Sequence, residues 1–163
     1  LYCATHPGDC CYKDDWNLIS EKMKQAAAIV FGAPTYSGNI NALSHACIER
    51  TYSLRHSTYF LRDKPAVVVS PNEPGNPAEL YIERMLKQNG MKLIATVAGC
   101  CNTAPCWHCG EGHKCTYGHV PKPENGTFLD HIPEETIPKG FKGSTEAQQK
   151  AREAGLRLRE ALA

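Results

Sequence analysis

The sequence predicts an α/β fold with a parallel sheet, and three observations lead to that prediction. Short, largely apolar runs recur at residues 28–31, 66–69 and 92–98. Each run is followed by a loop rich in Gly, Pro, Ser or Asn, and segments with helical periodicity lie between the runs. This alternation, with short connections, is typical of right-handed βαβ units and a parallel sheet. Three strands make a thin sheet, so we expect further strands before residue 1.

Length and composition limit the classes of protein to which the chain can belong. Its 163 residues suit one domain with a substantial core. The formal net charge of +1 gives no electrostatic reason to expect nucleic acid or a membrane surface as a partner. The apolar runs are too short to span a bilayer, and the first residues lack the features of a signal peptide. We therefore expect a cytoplasmic protein that binds neither nucleic acid nor a membrane.

Asp14 can cap the first helix, and Asp15 favours the positive N-terminal end of that helix. Trp16, Ile19, Met23 and Ala26 recur at helical spacing, which predicts that this helix buries one face. The apolar run at 28–31 follows and has no polar residue that would give it an exposed face. It is therefore predicted to be a buried parallel strand.

The loop after this strand is the first candidate site. It carries six residues of interest: Pro34, Thr35, Tyr36, Ser37, Gly38 and Asn39. In open α/β sheets, ligands bind at the carboxyl ends of the strands. The tyrosine offers a flat ring, Thr35, Ser37 and Asn39 offer hydrogen-bonding groups, and the glycine allows close approach of the backbone. The alternative is an ordinary connection between a strand and a helix.

The following elements are predicted by the same signals. A helix is expected from Asn41 to about Tyr52, with Leu43, Ala46, Cys47 and Arg50 along or near one stripe. A strand at 66–69 then leads into a polar loop, residues 70–76, that carries Ser70 and Asn72. Asn76, Pro77 and Glu79 form a helix start, and Asn89-Gly90 forms the stop. This helix is expected to turn Leu80, Ile82, Met85 and Leu86 inward.

Nine cysteines require an explanation of their own. Their odd number and the supply of apolar residues for a core favour a reducing compartment and metal-bound thiolates. The densest group comprises Cys101 (or Cys100), Cys106, Cys109 and Cys115. Zinc and a four-iron (4Fe-4S) cluster take the same thiolates, so the spacing leaves both open. His108, His113 or His119 could replace a cysteine at zinc.

Other interpretations of the cysteines also remain open. They could form disulfides or stay unligated, and Cys106-Trp107-His108-Cys109 could be a redox-active dithiol. Such a dithiol usually opens a helix directly after a strand, whereas this one lies in a Gly-rich loop. Cys3 and Cys10 form a second, incomplete group, because two ligands cannot hold a cluster.

The chain divides into three parts that differ in amino-acid composition. Residues 1–99 are predicted to form the α/β domain, residues 100–143 a Cys-rich loop and an extended arm of the same domain, and residues 144–163 a terminal helix. Thr145 to Gln148 has the form of a capping box, which places the start of that helix.

Two motifs resemble the iron–sulfur flavoproteins, a branch of the NAD(P)H-dependent FMN reductase family. Cys3 and the run Cys10-Cys11-Tyr12-Lys13-Asp14-Asp15-Trp16 resemble the end of that family's cysteine motif. Gly32-Ala33-Pro34-Thr35-Tyr36-Ser37-Gly38-Asn39-Ile40-Asn41-Ala42, followed by Ile48-Glu49-Arg50, resembles its flavin loop and the helix after it. The resemblance covers about residues 3 to 99. His45 and Glu49 depart from it, since lysine and aspartate are usual there.

The resemblance implies a flavodoxin-like three-layer sandwich and an FMN-dependent oxidoreductase or electron-transfer flavoprotein. FMN would contact residues 34–39, with Ser70 and Asn72 in the opposite wall, and Cys3 and Cys10 would belong to a cluster motif. Electrons would come from NAD(P)H or a protein donor, and a homo-oligomer would be usual. No catalytic acid or base is implied. The family's first strand, phosphate-binding loop and second strand have no counterpart here, so an N-terminal portion is expected to be missing.

A different class of function competes with this one. The chain could be a non-enzymatic flavodoxin-like module whose C-terminal cysteines hold a structural zinc ion. A coloured protein with flavin absorbance would favour the oxidoreductase, and a colourless one with stoichiometric zinc would favour the module.

Overall fold

The structure is a computed structural model that describes residues 2–72, 74–99 and 140–163. In chain order the elements are α1 (Tyr2–Thr5), α2 (Trp16–Gln25), β1 (Ile29–Gly32), β2 (Thr35–Tyr36), β3 (Asn39–Ile40), α3 (Ala42–Arg50), a 3-10 turn (Thr51–Leu54), β4 (Pro65–Val69), α4 (Pro77–Gln88), β5 (Lys92–Val97), α5 (Gly140–Gly143) and α6 (Thr145–Glu160). Within these residues no helix is both long and apolar enough to cross a lipid bilayer.

Strands β1, β4 and β5 form one parallel sheet in the order β1-β4-β5. Gly32 pairs with Val69, and Val69 pairs with Val97, so the three strands end at a common edge. The parallel sheet and its flanking helices confirm the flavodoxin-like α/β fold that was expected from the sequence.

Side chains of alternate strand positions build two apolar layers, one on each face of the sheet. Ala66 and Val68 of β4 belong to the main core, which also contains side chains of α2, α3 and α4 such as Trp16, Ile48 and Ile82. On the opposite face, Val67 and Val97 pack with Ala154 of α6; Ala151 and Leu158 pack against this group. The alternation follows from the two-residue period of a strand.

The expectation of a fully buried central strand is wrong for Val30, whose side chain is 60% exposed. Among the described residues β1 pairs with β4 alone, so it is an edge of this sheet. Val30 lies on the same face of the sheet as its partner Val67, and α6 packs on that face mainly against β5 and β4. Val30 borders an apolar cleft of about 380 Å³ that Phe141 and Leu158 also line.

Two helical faces also differ from their sequence-based assignments. Leu80 is 53% exposed, whereas Ile82 is fully buried. Residues two apart in a helix lie about 200° apart around its axis, so the two cannot both face the core. In α2, Ile19 is exposed, and Ala26 lies beyond the helix end in extended backbone.

The helix ends follow local chemistry closely. Asn76 caps α4 as predicted, because its side-chain oxygen accepts hydrogen bonds of 3.1 Å from the backbone N–H groups of Ala78 and Glu79. Gly90 ends that helix with a φ of +70°, the left-handed conformation expected of such a stop. For α6 the predicted cap is displaced by one residue: Ser144, not Thr145, accepts from the N–H of Ala147.

Candidate functional site

The loop that follows β1 is a tight hairpin, which the sequence did not reveal. Strands β2 and β3 pair antiparallel, with Tyr36 opposite Asn39. Ser37 and Gly38 form the two-residue turn, with φ values of +51° and +73°. Positive φ at both positions is the mark of a type I′ turn, which matches the twist of the paired strands. Sequence reasoning missed it because serine is an unusual first residue for this turn.

Replacing Ser37 with glycine is expected to raise the free energy of unfolding by about 0.5 kcal/mol, since glycine adopts positive φ without strain and loses only part of that gain to backbone entropy. Thermal or urea unfolding measures the difference. Ser37→Ala keeps the strained backbone and is the control that should show no gain. A gain of the same size in both variants would mean that the serine hydroxyl, not the backbone, is unfavourable.

The hairpin is fixed at its base and open at its tip. The N–H of Asn41 donates to the carbonyl of Pro34 at 3.2 Å, and the N–H of Ile40 donates to the side-chain oxygen of Asn39 at 2.8 Å. Ile40 is buried in the main core, whereas the ring of Tyr36 is 66% exposed. The base therefore holds an exposed aromatic ring in a defined place beyond the end of β1.

Two side-chain oxygens in this hairpin are buried without a hydrogen-bond partner among the described residues. They are Oγ1 of Thr35 and Oδ1 of Asn41. A buried polar atom without a partner costs about 1–3 kcal/mol, so such atoms are uncommon in folded proteins. Both oxygens can accept a hydrogen bond. The site therefore has unused capacity for a ligand that carries donors.

A second loop lies at the same edge of the sheet, after β4. The hydroxyl of Ser70 is buried and accepts a hydrogen bond of 2.7 Å from the side-chain amide of Asn76, and its backbone N–H donates to the carbonyl of Val97. The carbonyl of Asn72 accepts from the N–H of Gly99. The buried hydroxyl of Ser70 thus stabilises the loop through Asn76, and the carbonyl of Asn72 links the loop to the residues that follow β5. Their contact with a flavin stays a prediction.

The segment before α2, residues 2–12, carries the predicted ligands Cys3 and Cys10, both with free thiols that are half-buried. Asp9 closes it into a loop: its carboxylate accepts from the hydroxyl of Tyr2 at 3.3 Å and from the backbone N–H of Cys10 at 2.8 Å. In the described part of the chain, no three His, Cys, Asp or Glu side chains are grouped to hold a metal ion. The other predicted ligands, Cys101, Cys106, Cys109 and Cys115, lie outside the described residues.

An ion pair that joins α3 to Asp14, two residues after this cysteine segment, was not predicted. Arg50 donates from Nη1 and Nη2 to the two carboxylate oxygens of Asp14, each at 2.9 Å. The guanidinium holds the pKa of Asp14 below its usual value, and the bond to Asp14 raises the pKa of Arg50. The partners are 36 residues apart in sequence, and no local pattern reveals such a pair. The only sequence signal was the presence of both residues in the two family motifs.

The lowered pKa of Asp14 predicts how the stability of the folded protein depends on pH. A group whose pKa is lowered by folding stabilises the protein above its unfolded value, 3.8, and that contribution is lost as the pH falls through the lowered pKa. We expect Asp14→Asn to lower the urea midpoint at pH 6. The difference between the urea midpoints of the wild type and the variant should become smaller below pH 3.8. Asp15→Asn is the control that should leave the midpoint nearly unchanged at both pH values. A difference that is constant with pH would contradict the ion pair.

A parallel α/β sheet flanked by helices, with a loop at the carboxyl end of β1, is the architecture of the flavodoxin-like class. The family model for NADPH-dependent FMN reductase matches residues 1–99. This chain belongs to that family.

Three named relatives match parts of the chain. An iron–sulfur flavoprotein of Archaeoglobus fulgidus is 44% identical over 57 residues, 35% of this chain and 28% of that protein. A second from the same organism is 32% identical over 101 residues, 60% of this chain and 51% of that protein. One from Methanosarcina thermophila is 36% identical over 61 residues, 37% and 32% of the two chains. The chain thus spans from about a quarter to half of the length of the curated relatives it matches.

Proposed function

We propose that this protein is an FMN-dependent oxidoreductase or electron-transfer flavoprotein that takes electrons from NAD(P)H or from a protein donor. One observation carries the proposal: the loop at the carboxyl end of β1 combines an exposed tyrosine ring with two buried oxygens that have no hydrogen-bond partner within residues 2–72, 74–99 and 140–163. Membership of the FMN reductase family supports it.

The residues of the hairpin suit the ring system of a flavin, which carries both N–H donors and carbonyl acceptors. Thr35 and Asn41 would accept from donors, and the amide NH₂ of Asn39 remains available because its oxygen is used within the hairpin. Tyr36 would pack on or beside the flat ring. A Cβ at Gly38 would meet nothing within 4 Å, so the backbone of the turn is accessible there. FMN, when bound, would accept a hydride or single electrons.

The second part of the proposal concerns the cysteines and the assembly. We propose that Cys3 and Cys10 belong to an iron–sulfur cluster site, with zinc at the C-terminal cysteines as the competing metal. Thiolate ligands select these metals, and the matched relatives carry the name iron–sulfur flavoprotein. A homo-oligomer is proposed on the resemblance to the family. The hairpin positions and orients the flavin, and no side chain is assigned as a catalytic acid or base.

The test is anaerobic purification of the full-length protein, with an absorbance spectrum and quantification of FMN, iron and zinc. FMN binding is then titrated by flavin fluorescence in the wild type and in Tyr36→Ala and Gly38→Val. We expect each substitution to raise the Kd for FMN about tenfold, a loss of about 1.4 kcal/mol in binding free energy. NADPH oxidation with an artificial acceptor gives the activity.

Tyr59→Ala is the matched control. Tyr59 is also exposed, but it lies beside Arg62 and Gly90, near the C-terminal end of α4. The substitution should leave the Kd unchanged. Stoichiometric zinc with no bound flavin and no measurable FMN affinity would overturn the oxidoreductase and support a structural module. Equal losses in Tyr36→Ala and Tyr59→Ala would place the flavin elsewhere.

A further inference from the structure

We infer that Arg50 is a positioning residue that holds the cysteine segment, residues 2–12, on the helix that carries the hairpin. Its relevance to a cluster rests on the proposed function, but its mechanical role does not. Helix α3 begins at Ala42, directly after the hairpin, and ends at Arg50. One short helix therefore carries the candidate flavin loop at its start and the anchor of the cysteine segment at its end.

The first support is the geometry of the ion pair. The two parallel hydrogen bonds between Arg50 and Asp14, each 2.9 Å, form the fork that a guanidinium makes with a carboxylate. A lysine cannot reproduce it, because an ammonium is a single point of charge. Asp14 in turn accepts from the backbone N–H of Trp16 at 3.1 Å, so the fork also fixes the start of α2.

The second support is the stack of groups around the guanidinium. Its central carbon lies 5.5 Å from the ring centre of Tyr12 and 5.5 Å from that of Trp16, within range of cation–π attraction. Arg50 thus contacts every second residue from Tyr12 to Trp16, immediately after Cys10 and Cys11. Nε of Arg50 is buried without a hydrogen-bond partner in the described part of the chain.

The third support is that the other anchors of the segment also lie at this end of α3. The N–H of Gly8 donates to the carbonyl of Ser53 at 3.2 Å, and the indole N–H of Trp16 donates to the hydroxyl of the same serine at 3.3 Å. Ser53 belongs to the 3-10 turn that follows α3. Arg50 supplies the charged contact among these anchors.

The test measures how fast each thiol of the metal-free, full-length protein reacts with iodoacetamide, by peptide mass spectrometry. We expect Cys10 to react about fivefold faster in Arg50→Gln, because the loss of a forked, partly exposed ion pair lets the segment open more often. Arg50→Lys should give a smaller increase. The charge-swapped double variant Asp14→Arg/Arg50→Asp should return the rate most of the way to the wild-type value.

Two references make the result specific. Cys47 lies in α3 itself, where burial raises the pKa of its thiol and the charge of Arg50 lowers it, so its rate should not rise in Arg50→Gln. Arg55→Gln removes an arginine that stacks on Tyr52 and should leave Cys10 unchanged. An unchanged Cys10 rate in Arg50→Gln, or Cys10 and Cys47 rising together, would overturn the inference. Failure of the wild type to bind FMN would overturn the proposed function alone, because the labelling needs no flavin.

Discussion

Replacing Gly8 with alanine is expected to lower the free energy of unfolding by about 3 kcal/mol, through left-handed strain and overpacking together. Gly8 has a φ of +80°, and a Cβ there would lie 2.7 Å and 2.8 Å from two ring carbons of Phe60. The residue is buried, and its N–H anchors the cysteine segment to Ser53. We expect a lower urea midpoint and faster alkylation of Cys10.

Gly75→Ala is the matched control for this substitution. Its φ is +77°, nearly the same, but a Cβ there would meet nothing within 4 Å. It should therefore show the backbone cost alone, about 1 kcal/mol. If Gly8→Ala costs no more than Gly75→Ala, the ring of Phe60 moves aside and the packing of the segment is looser than the contacts indicate.

Replacing Ile40 with alanine is expected to lower the free energy of unfolding by about 3 kcal/mol, the usual cost of a cavity at a buried isoleucine. Ile40 belongs to the main core and ends the second strand of the hairpin. Its loss should also free the base of the hairpin. We therefore expect the Kd for FMN to rise about tenfold, as measured by fluorescence titration.

Two control variants separate the effect of the buried volume lost at Ile40 from the effect of substituting any residue in this region. Ile40→Val removes one methylene group and should cost about 1 kcal/mol with a small change in Kd. Leu43 lies in the first turn of α3 and is 79% exposed. Leu43→Ala should therefore change neither the free energy of unfolding nor the Kd for FMN. A normal Kd in a clearly destabilised Ile40→Ala would show that the hairpin keeps its shape without this anchor.

The fold was predictable where a local rule decides the backbone. Asn76 and Gly90 behave as the sequence indicates, because a side-chain cap and a left-handed glycine act within one turn of a helix. The error at Leu80 is local, because helix geometry alone places it opposite Ile82, whereas the error at Val30 concerns neighbours distant in sequence. The exposure of Val30 depends on which elements cover β1, and the apolar character of the run contains no such information.

The candidate site was predictable in position but not in construction. The end of an apolar run followed by Gly, Pro and Asn identifies the loop, since strand ends in parallel sheets meet at one edge. Its hairpin geometry depends on positive φ at Ser37, for which serine gives little signal. The fork between Asp14 and Arg50 forms only when α2 and α3 have packed, so it follows from the tertiary structure.

The pairing of β1 with β4 has a consequence for how the chain folds. Ile29 and its partner Ala66 are separated in sequence by the hairpin, α3 and the 3-10 turn. Parallel strands need such long crossovers, and contacts of high sequence separation slow the search for the native state. The hairpin, closed by two residues, forms on the scale of microseconds, about 1–10 μs. The candidate flavin loop is therefore expected to fold early, and the edge of the sheet that supports it to assemble last.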